Sequence, residues 1–471
     1  MKCISSLLFI LAAIVLAAPT YSENYNDRFI SETAPLIAFT NARVIDGTGN
    51  DAKENHTVVI KDGRIIKIGR DGKVKIPKAA KRISLKGKSL LPGWVLTHEH
   101  LYYGSHPGNF TNDGPFMDFV LTQQSISYPR LYLAAGVTSA RTAGGIQPYT
   151  ELGIKRAIES GDLVGPDFDL TAPHLSGPGP IFQIQAVQSV EDARATVRYW
   201  ASQGFTSFKG WGPIKEEHLA AAIDEAHKLD LKFTADLGSI IQRHRHAIDS
   251  GIDHLEHVIA SFENHKPVSD EKVEQMMQYY IDHSVGVTST LGIFDTKLKP
   301  QEVLDLLTDY SQKEYARAPY GSFGGDTSDG DLPKRQQKLK LEFGKTLKRQ
   351  QELQLAFWQK GGTLTVGTDP AMPGLIAGYG SLRAIELLAE AGIPPLEVIK
   401  MATLNGAEAI GIAEDRGTIE IGNRADLIVI HGDPSTNIKS IYNVESVFKK
   451  GMGYDPQALK DSVKGTVGGP G

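Results

Sequence analysis

The stretch Leu90–Gly104, LLPGWVLTHEHLYYG, decides how the rest of the chain is interpreted. Pro92 and Gly93 lead into the apolar run WVL, which predicts a short buried strand. Side chains two residues apart on a strand project from the same face, so we expect His98 and His100 to point the same way. Two neutral imidazoles at the end of a strand can bind one metal ion, with further ligands from elsewhere in the chain.

The N-terminus has the features of a secretory signal peptide over residues 1–22. Lys2 precedes an apolar run that ends at Ala18 and is too short to span a bilayer. Small residues before position 23 favour cleavage there, and a site near Ala18 is the alternative. The only cysteine, Cys3, lies inside this segment, so we expect the mature protein to have no disulfide and to be periplasmic or secreted.

The charge pattern of the chain argues against nucleic acid as a partner. The 50 basic and 55 acidic side chains nearly cancel, and no basic block of five or more residues occurs. Beyond the signal peptide, no apolar run reaches the roughly 20 residues of a membrane-spanning helix. The sequence therefore predicts an exported protein that is not held in the membrane once the signal peptide is cleaved.

Short alternating segments with Asp-Gly turns occur at both ends of the chain, over residues 36–92 and 415–452. They predict hairpins that pair into one small β-sandwich. The middle, residues 93–414, alternates strand-like and helix-like patterns, which predicts a (β/α)8 TIM-like barrel inserted in that sandwich, an α/β fold. Residues 453–471 form a C-terminal tail that we expect to be disordered from Gly465 onward.

Eight strands are predicted in the middle part: Val95–His98, Ser139–Thr142, Phe168–Ala172, Ser207–Lys209, Lys232–Ala235, His254–His257, Gly286–Thr290 and Leu364–Gly367. The C-terminal ends of barrel strands are where catalytic residues lie. Besides the His98 and His100 pair, Lys209, His257 and Asp369 occupy such ends. Their joint occurrence at strand ends strengthens the prediction of a metal site.

A long segment follows the seventh predicted strand, between Thr290 and Lys334, and contains PYGSFGGDTSDGDLP. Its position would place it over the catalytic face of the barrel. A lid or specificity loop and an irregular excursion without a role both fit this composition.

Several motifs resemble the amidohydrolase superfamily, closest to its imidazolonepropionase-like and prolidase-like branch, over almost the whole mature chain. They are LLPGWVLTHEHLYY, AGVTSARTAGG, GIDHLEHV, TVGTDP and MATLNGAEAIGI with RGTIEIGNRADLIVIHGDP. The resemblance implies that His98 and His100 bind one divalent ion, and zinc is the expected metal. It further implies that Lys209, carboxylated by CO2, bridges to a second ion held partly by His257. Asp369 would bind the first ion and act as general base.

The function that the resemblance implies is cleavage of an amide-type C–N bond by metal-activated hydroxide, in a cyclic amide, an N-acyl amino acid or a dipeptide. An ester, lactone or phosphotriester hydrolase, and a catalytically impaired barrel that binds a small ligand, remain alternatives. Tyr102, Tyr103, His174 and Trp211 are candidates for substrate contacts. Superfamily members often form dimers or larger assemblies, so the resemblance also allows a homo-oligomer, although no stretch identifies an interface.

One position departs from the family pattern. The fifth strand of the family ends in a metal-binding histidine, whereas this chain reads FTADLGS with Asp236 there. Asp236 can supply oxygen to zinc. A two-metal site with altered affinity, a one-metal enzyme and a protein that has lost activity all remain open. His244 and His246 belong to the following helix, and we expect both at the surface; the alternative is that one of them folds back as a replacement ligand.

Overall fold

The computed structural model describes most of the chain, in the ranges 25–105, 120–178, 185–295, 297, 299–308, 332–371 and 374–469. The predicted signal peptide over residues 1–22 lies outside these ranges, and so does most of the long segment between Thr290 and Lys334. Both therefore stay predictions. Within the described ranges, no helix is both long enough and apolar enough to cross a membrane.

Each of the eight predicted strands is present, with ends that differ from the prediction by at most three residues. We label them β1 (Trp94–Glu99), β2 (Val137–Thr142), β3 (Asp167–Asp169), β4 (Ser207–Trp211), β5 (Lys232–Asp236), β6 (His254–His257), β7 (Gly286–Ser289) and β8 (Leu364–Val366). Most of their residues are buried, as expected for strands covered on both faces.

These strands lie parallel and pair in chain order from β1 to β3 and from β4 to β8. A single parallel bridge between Thr171 and Ser207 connects β3 to β4. After β8 the chain returns to β1, where the backbone N–H groups of Thr368 and Asp369 donate to the carbonyl oxygen of His98 at 3.1 and 3.0 Å. The C-terminal ends of all these strands therefore meet at one face.

Strands from the two ends of the chain form one nine-stranded sheet. They are Ile30–Glu32, Leu36–Val44, Lys53–Lys61, Arg64–Arg70, Lys81–Ser84, Lys88–Pro92, Leu427–His431, Val444–Lys449 and Met452–Tyr454. The two halves join where Lys88–Pro92 pairs antiparallel with Leu427–His431. Phe39 and Phe448 pack edge to face beneath this sheet, with ring centroids 4.9 Å apart, so both ends also contribute to one apolar core.

Helices separate the parallel strands and also follow the last of them. They are Ser127–Ala134, Pro148–Ser160, Val190–Ser202, Glu216–Lys228, Ile241–Asp249, Asp270–Asp282, Gln301–Leu304, Leu332–Gln359, Tyr379–Glu390, Pro395–Met401, Leu404–Ala409 and Pro456–Asp461. Local sequence explains several helix starts: Ser189 and Ser269 each accept a hydrogen bond from the backbone N–H three residues later.

Smaller elements complete the described fold. The short strands are Tyr102–Ser105, Val120–Gln123, Leu175–Ser176, Gln185–Ala186, Phe262–Glu263 and Lys266–Pro267. Three 3-10 turns are Tyr25–Phe29, Leu291–Phe294 and Ile438–Tyr442. Tyr102–Ser105, which begins two residues after His100, pairs antiparallel with Val120–Gln123.

The prediction of disorder from Gly465 is wrong for the part of the tail that the structure describes. The backbone N–H of Val467 donates to the carbonyl oxygen of Leu306 at 3.0 Å, and Thr308 donates to the carbonyl oxygen of Val467 at 2.9 Å. The Val467 side chain is fully buried. The tail is ordered because its backbone pairs with a segment distant in sequence.

A buried group of charges fixes the region that follows β7. Arg383 donates to Asp295 at 3.0 Å and to Glu390 at 3.0 Å, and it lies 2.7 Å from Glu386. The side chains of Arg383 and Asp295 are only 5% and 4% exposed. These contacts tie the helix Tyr379–Glu390 to the turn at Leu291–Phe294.

We expect Arg383→Met to lower the free energy of unfolding by about 3 kcal/mol, because removing one partner of a buried ion pair leaves the other charges uncompensated. Urea unfolding followed by far-UV circular dichroism measures the change. Arg156→Met, at an exposed position of the helix Pro148–Ser160, is the matched control and should stay within about 0.5 kcal/mol of the wild type. Equal effects of the two substitutions would contradict the structural role of Arg383.

Candidate metal centre

Three predicted ligands converge at the C-terminal face of the parallel strands. His98 lies near the end of β1, His100 directly follows β1, and Asp369 follows β8. Oδ1 of Asp369 lies 3.1 Å from Nε2 of His100 and 3.8 Å from Nε2 of His98. One ligand atom from each of the three side chains lies within 4.8 Å of the others. The two imidazoles therefore point the same way, as the spacing predicts, and toward a carboxylate.

The other ring nitrogens of the two histidines are already engaged. Nδ1 of His98 donates to Oε2 of Glu256 at 2.7 Å, and Nδ1 of His100 donates to the carbonyl oxygen of Gly144 at 3.3 Å. Because a carboxylate or a carbonyl oxygen can only accept, each ring carries its proton on Nδ1. The Nε2 lone pairs then face Asp369, which is the arrangement that metal-binding histidines adopt. The donor set fits one divalent ion.

Electrostatics keep these rings neutral. Burial, together with the nearby Lys209 ammonium, lowers the pKa of His98 to about 3. Burial also lowers the pKa of His100, although the nearby Asp369 carboxylate opposes this shift. A neutral imidazole is the form that binds a metal ion.

Lys209, Asp236 and His257 lie next to this group: Lys209 is in the middle of β4, and the other two end β5 and β6. Nζ of Lys209 is 3.3 Å from Nε2 of His98, and Nε2 of His257 is 3.3 Å from Oδ2 of Asp236. Nδ1 of His257 is 3.9 Å from Oδ2 of Asp369, so Asp369 faces both groups. The five strands thus bring together every residue that the sequence predicts as a metal ligand.

Asp236 and His257 stabilise each other as an ion pair. Burial would raise the pKa of Asp236, but the positive charges of His257 and Lys209 hold it well below its usual value. Burial would lower the pKa of His257, but the Asp236 carboxylate raises it above its usual value. Asp236 therefore presents an ionised oxygen at the position where the family pattern has a histidine nitrogen.

His257 and Asp369 have backbone conformations that are uncommon outside glycine. Their φ angles are 73° and 55°, in the left-handed region. Such a conformation costs on the order of 1–3 kcal/mol and occurs at sites where the surrounding structure enforces it. Here it turns the chain sharply as each strand ends, at two residues whose side chains face the same centre.

The prediction that His244 lies at the surface is wrong. Its ring is fully buried. Nε2 of His244 donates to the carbonyl oxygen of Gly238 at 2.6 Å, and the hydroxyl of Tyr280 donates to Nδ1 at 2.8 Å. The backbone N–H of Gly238 in turn donates to Oδ1 of Asp236 at 3.1 Å, so His244 supports the turn that presents Asp236. His246 is partly exposed.

Three of the predicted substrate contacts border the metal centre. The ring of Tyr102 lies 4.6 Å from that of His100, centroid to centroid, and the ring of His174 lies 6.2 Å from it. Trp211 lies 6.3 Å beyond His174 and is partly exposed. These aromatic groups form one wall beside the histidine pair.

Tyr103 has a packing role instead of the predicted substrate contact. Its side chain is fully buried in the main apolar core, and its hydroxyl accepts a hydrogen bond from the backbone N–H of Gly374 at 3.1 Å. Because Tyr102 and Tyr103 are adjacent on a strand, they face opposite sides. Only Tyr102 faces His100.

Residues that support the ligands were missed by sequence reasoning. Glu256 accepts from His98, Thr290 lies 2.8 Å from Nδ1 of His257, and Glu99 accepts from Thr368 through both the backbone N–H and the hydroxyl, at 3.0 and 2.7 Å. The feature of the sequence that could have identified them is a charged residue inside a buried strand, because Glu and Asp are almost never fully buried unless paired. Glu256 within HLEH and Glu99 within THEH both carry it.

Comparison with known proteins agrees with this geometry. The sequence model of the Amidohydrolase family matches residues 89–452. Adenine deaminase 2 from Desulfotalea psychrophila is 30% identical over 102 residues, which cover 21% of this chain and 17% of that protein. The chain thus spans less than a fifth of the length of the curated relatives it matches.

Solved structures resemble almost the whole chain. A putative prolidase from Bifidobacterium longum has a TM-score of 0.66 at 21% identity and covers 92% of this chain and 100% of its own. An Xaa-Pro dipeptidase with bound methionine in its active site has a TM-score of 0.68 at 19% identity and covers 89% of this chain and 100% of its own. This likeness shows an α/β fold that contains a TIM barrel. With the family match over most of its length, the chain belongs to the amidohydrolase family.

Proposed function

We propose that the protein is an exported metal-dependent hydrolase that cleaves an amide-type C–N bond. The observation that carries this proposal is the convergence of His98, His100 and Asp369, with both Nε2 atoms directed at one carboxylate. Family membership and the deaminase and dipeptidase names of similar proteins support C–N bond hydrolysis in general. The finer substrate class we propose is a cyclic amide, an N-acyl amino acid or a dipeptide.

We assign the ligands as follows. His98, His100 and Asp369 hold the first ion. We expect this ion to be zinc, because two imidazoles and one carboxylate suit that metal. Lys209 as a carbamate, together with Asp236 and His257, would hold a second ion. When bound, such ions activate water and polarise the carbonyl carbon that is attacked.

The chain's own residues supply proton transfer and orientation. Burial would raise the pKa of Asp369, but the side chains of His100, His98 and His257 beside it hold it well below its usual value, so it is ionised at neutral pH. Asp369 takes a proton from the attacking water and passes it to the nitrogen of the leaving group, so that the C–N bond breaks to give an acid and an amine. Tyr102, His174 and Trp211 are placed to contact the rest of the substrate.

We also propose the finer architecture and setting. The in-order parallel pairing and the return of the chain to β1 support a (β/α)8 barrel, and the joint sheet of both termini supports a sandwich into which it is inserted. Further proposals that follow from the sequence are export after cleavage near residue 22, a homo-oligomeric state and the absence of nucleic-acid and membrane partners.

The first test is the metal content of the purified protein by elemental mass spectrometry, for the wild type and Asp236→His side by side. We expect about two ions per chain in the wild type, because Asp236 and His257 face each other as two ligands of one ion do. We expect Asp236→His to bind the second ion more tightly, so that it survives dialysis against a chelator at concentrations that strip the wild type.

Asp282→His controls for an added histidine, since Asp282 is exposed at the end of a surface helix. It should leave the metal content unchanged. One ion in the wild type that rises to two in Asp236→His would show that Asp236 is not a working ligand. No metal in either protein would overturn the hydrolase proposal.

A further inference from the structure

Glu256 lies inside the ring of parallel strands, on β6, and reaches across to β1. Its Oε2 accepts the 2.7 Å hydrogen bond from Nδ1 of His98, and both side chains have 0% exposure. The two residues are 158 positions apart in sequence. A fully buried carboxylate persists only where a partner compensates its charge, so this contact is a strong constraint on the position of both side chains.

Arg141 on β2 holds the other side of this carboxylate. Its side chain is 1% exposed, and its Nε donates to the carbonyl oxygen of Thr97, next to His98, at 3.2 Å. Nη2 of Arg141 lies 3.7 Å from Oε1 of Glu256. Glu256 is therefore placed between a guanidinium on one oxygen and an imidazole on the other.

The three histidines of the centre differ in what supports Nδ1. Gly144 supports His100 with a backbone carbonyl and Thr290 supports His257 with a hydroxyl, whereas the group that supports His98 is charged. Hydrogen bonds to a charged acceptor are about twice as strong as those between neutral groups. His98 is thus the ring whose orientation depends most on one side chain.

We propose that Glu256 is a positioning residue of the metal centre. It holds the His98 ring with Nε2 directed at Asp369, and Arg141 holds Glu256 in place to do so. The inference rests on the proposed function, because it assigns a role toward an ion bound by His98. Glu256 itself touches neither substrate nor ion.

The test measures zinc affinity of the apoprotein by competition with a chromophoric chelator, with no turnover required. Glu256→Leu keeps the side-chain volume and removes the acceptor, and we expect zinc to bind 10- to 100-fold more weakly, the range found when such supporting partners are lost. Glu256→Gln keeps an acceptor oxygen without the charge, and we expect a smaller but measurable loss, of up to about tenfold. Far-UV circular dichroism and the thermal midpoint report whether each variant is folded.

Asp253→Asn is the matched control. Asp253 also pairs with a histidine, since its Oδ2 lies 2.9 Å from Nε2 of His227, but it precedes β6 at the opposite end of the strand. We expect its zinc affinity to stay within about twofold of the wild type, which is far below the effect on a supporting residue. This comparison separates a positioning role from the general loss of a carboxylate that pairs with a histidine.

The outcomes are distinct. If folded Glu256→Leu binds zinc with wild-type affinity, the inference is overturned and the proposed function stays intact. If Glu256→Leu does not fold, wild-type affinity in Glu256→Gln has the same meaning. An equal loss of affinity in Asp253→Asn also overturns the inference. A wild-type protein that binds no zinc or other divalent ion overturns the proposed function and this inference together.

Discussion

Asp369→Asn lowers kcat/KM by about 10³-fold with the fold retained; this is the expected result of removing the proposed general base. An amide accepts no proton at neutral pH and provides no anionic ligand, whereas the carboxylate of Asp369 is held ionised by its imidazole neighbours. Asparagine tolerates the positive φ of 55° at this position, so the backbone need not change. Steady-state kinetics on the substrate found by screening N-acyl amino acids, dipeptides and lactones measure the effect.

Asp62→Asn is the control for this prediction. Asp62 also has a positive φ, 49°, but it lies exposed in a turn of the terminal sheet. Its kcat/KM should equal that of the wild type, and both variants should keep the wild-type thermal midpoint within a few degrees, since neither creates a cavity. Activity of Asp369→Asn within tenfold of the wild type would show that another group moves the proton.

His100→Gln should have the second large effect, the loss of the first ion. Loss of a supporting partner already weakens metal binding 10- to 100-fold, so we expect loss of a ligand itself to weaken it by more than about 100-fold. Nε2 of His100 is the imidazole nitrogen nearest to Asp369 in the described site, at 3.1 Å. Elemental analysis should find about one ion fewer per chain, and hydrolysis should fall below detection.

His246→Gln is the matched histidine substitution. Nε2 of His246 lies 2.9 Å from the carbonyl oxygen of Glu216 on the outer helices, away from the strand ends. Metal content and activity should therefore not change. If His100→Gln kept a full complement of metal, the ion would have to be held by other groups and our assignment of the first position would fail.

Sequence reasoning finds what is local. The parallel strands are short apolar runs, and the residues at their ends, such as His98 and Asp369, follow directly from where each run stops. The sequence shows the residue type and its place at a strand end. The burial and charge environment that give these side chains their reactivity are seen only in the structure. The residue type and its place are enough to predict a metal site.

What sequence reasoning misses is the partner across the barrel. Glu256 lies 158 residues from His98, and Val467 pairs with Leu306 and Thr308 from the far end of the chain. His244 looks like a residue of a surface helix because its neighbours are polar, yet its ring is fully buried and makes two hydrogen bonds. No local pattern encodes such contacts, since they depend on how distant strands and helices are brought together.

The left-handed backbone of His257 and Asp369 has an evolutionary consequence. Glycine adopts these φ angles without steric cost, so substitution by glycine relieves strain while it removes a ligand. Selection for stability and selection for activity therefore favour different residues at these two positions. A descendant that no longer needed the reaction would gain stability by losing them, which makes positions 257 and 369 the places to look when sorting active from inactive relatives by sequence.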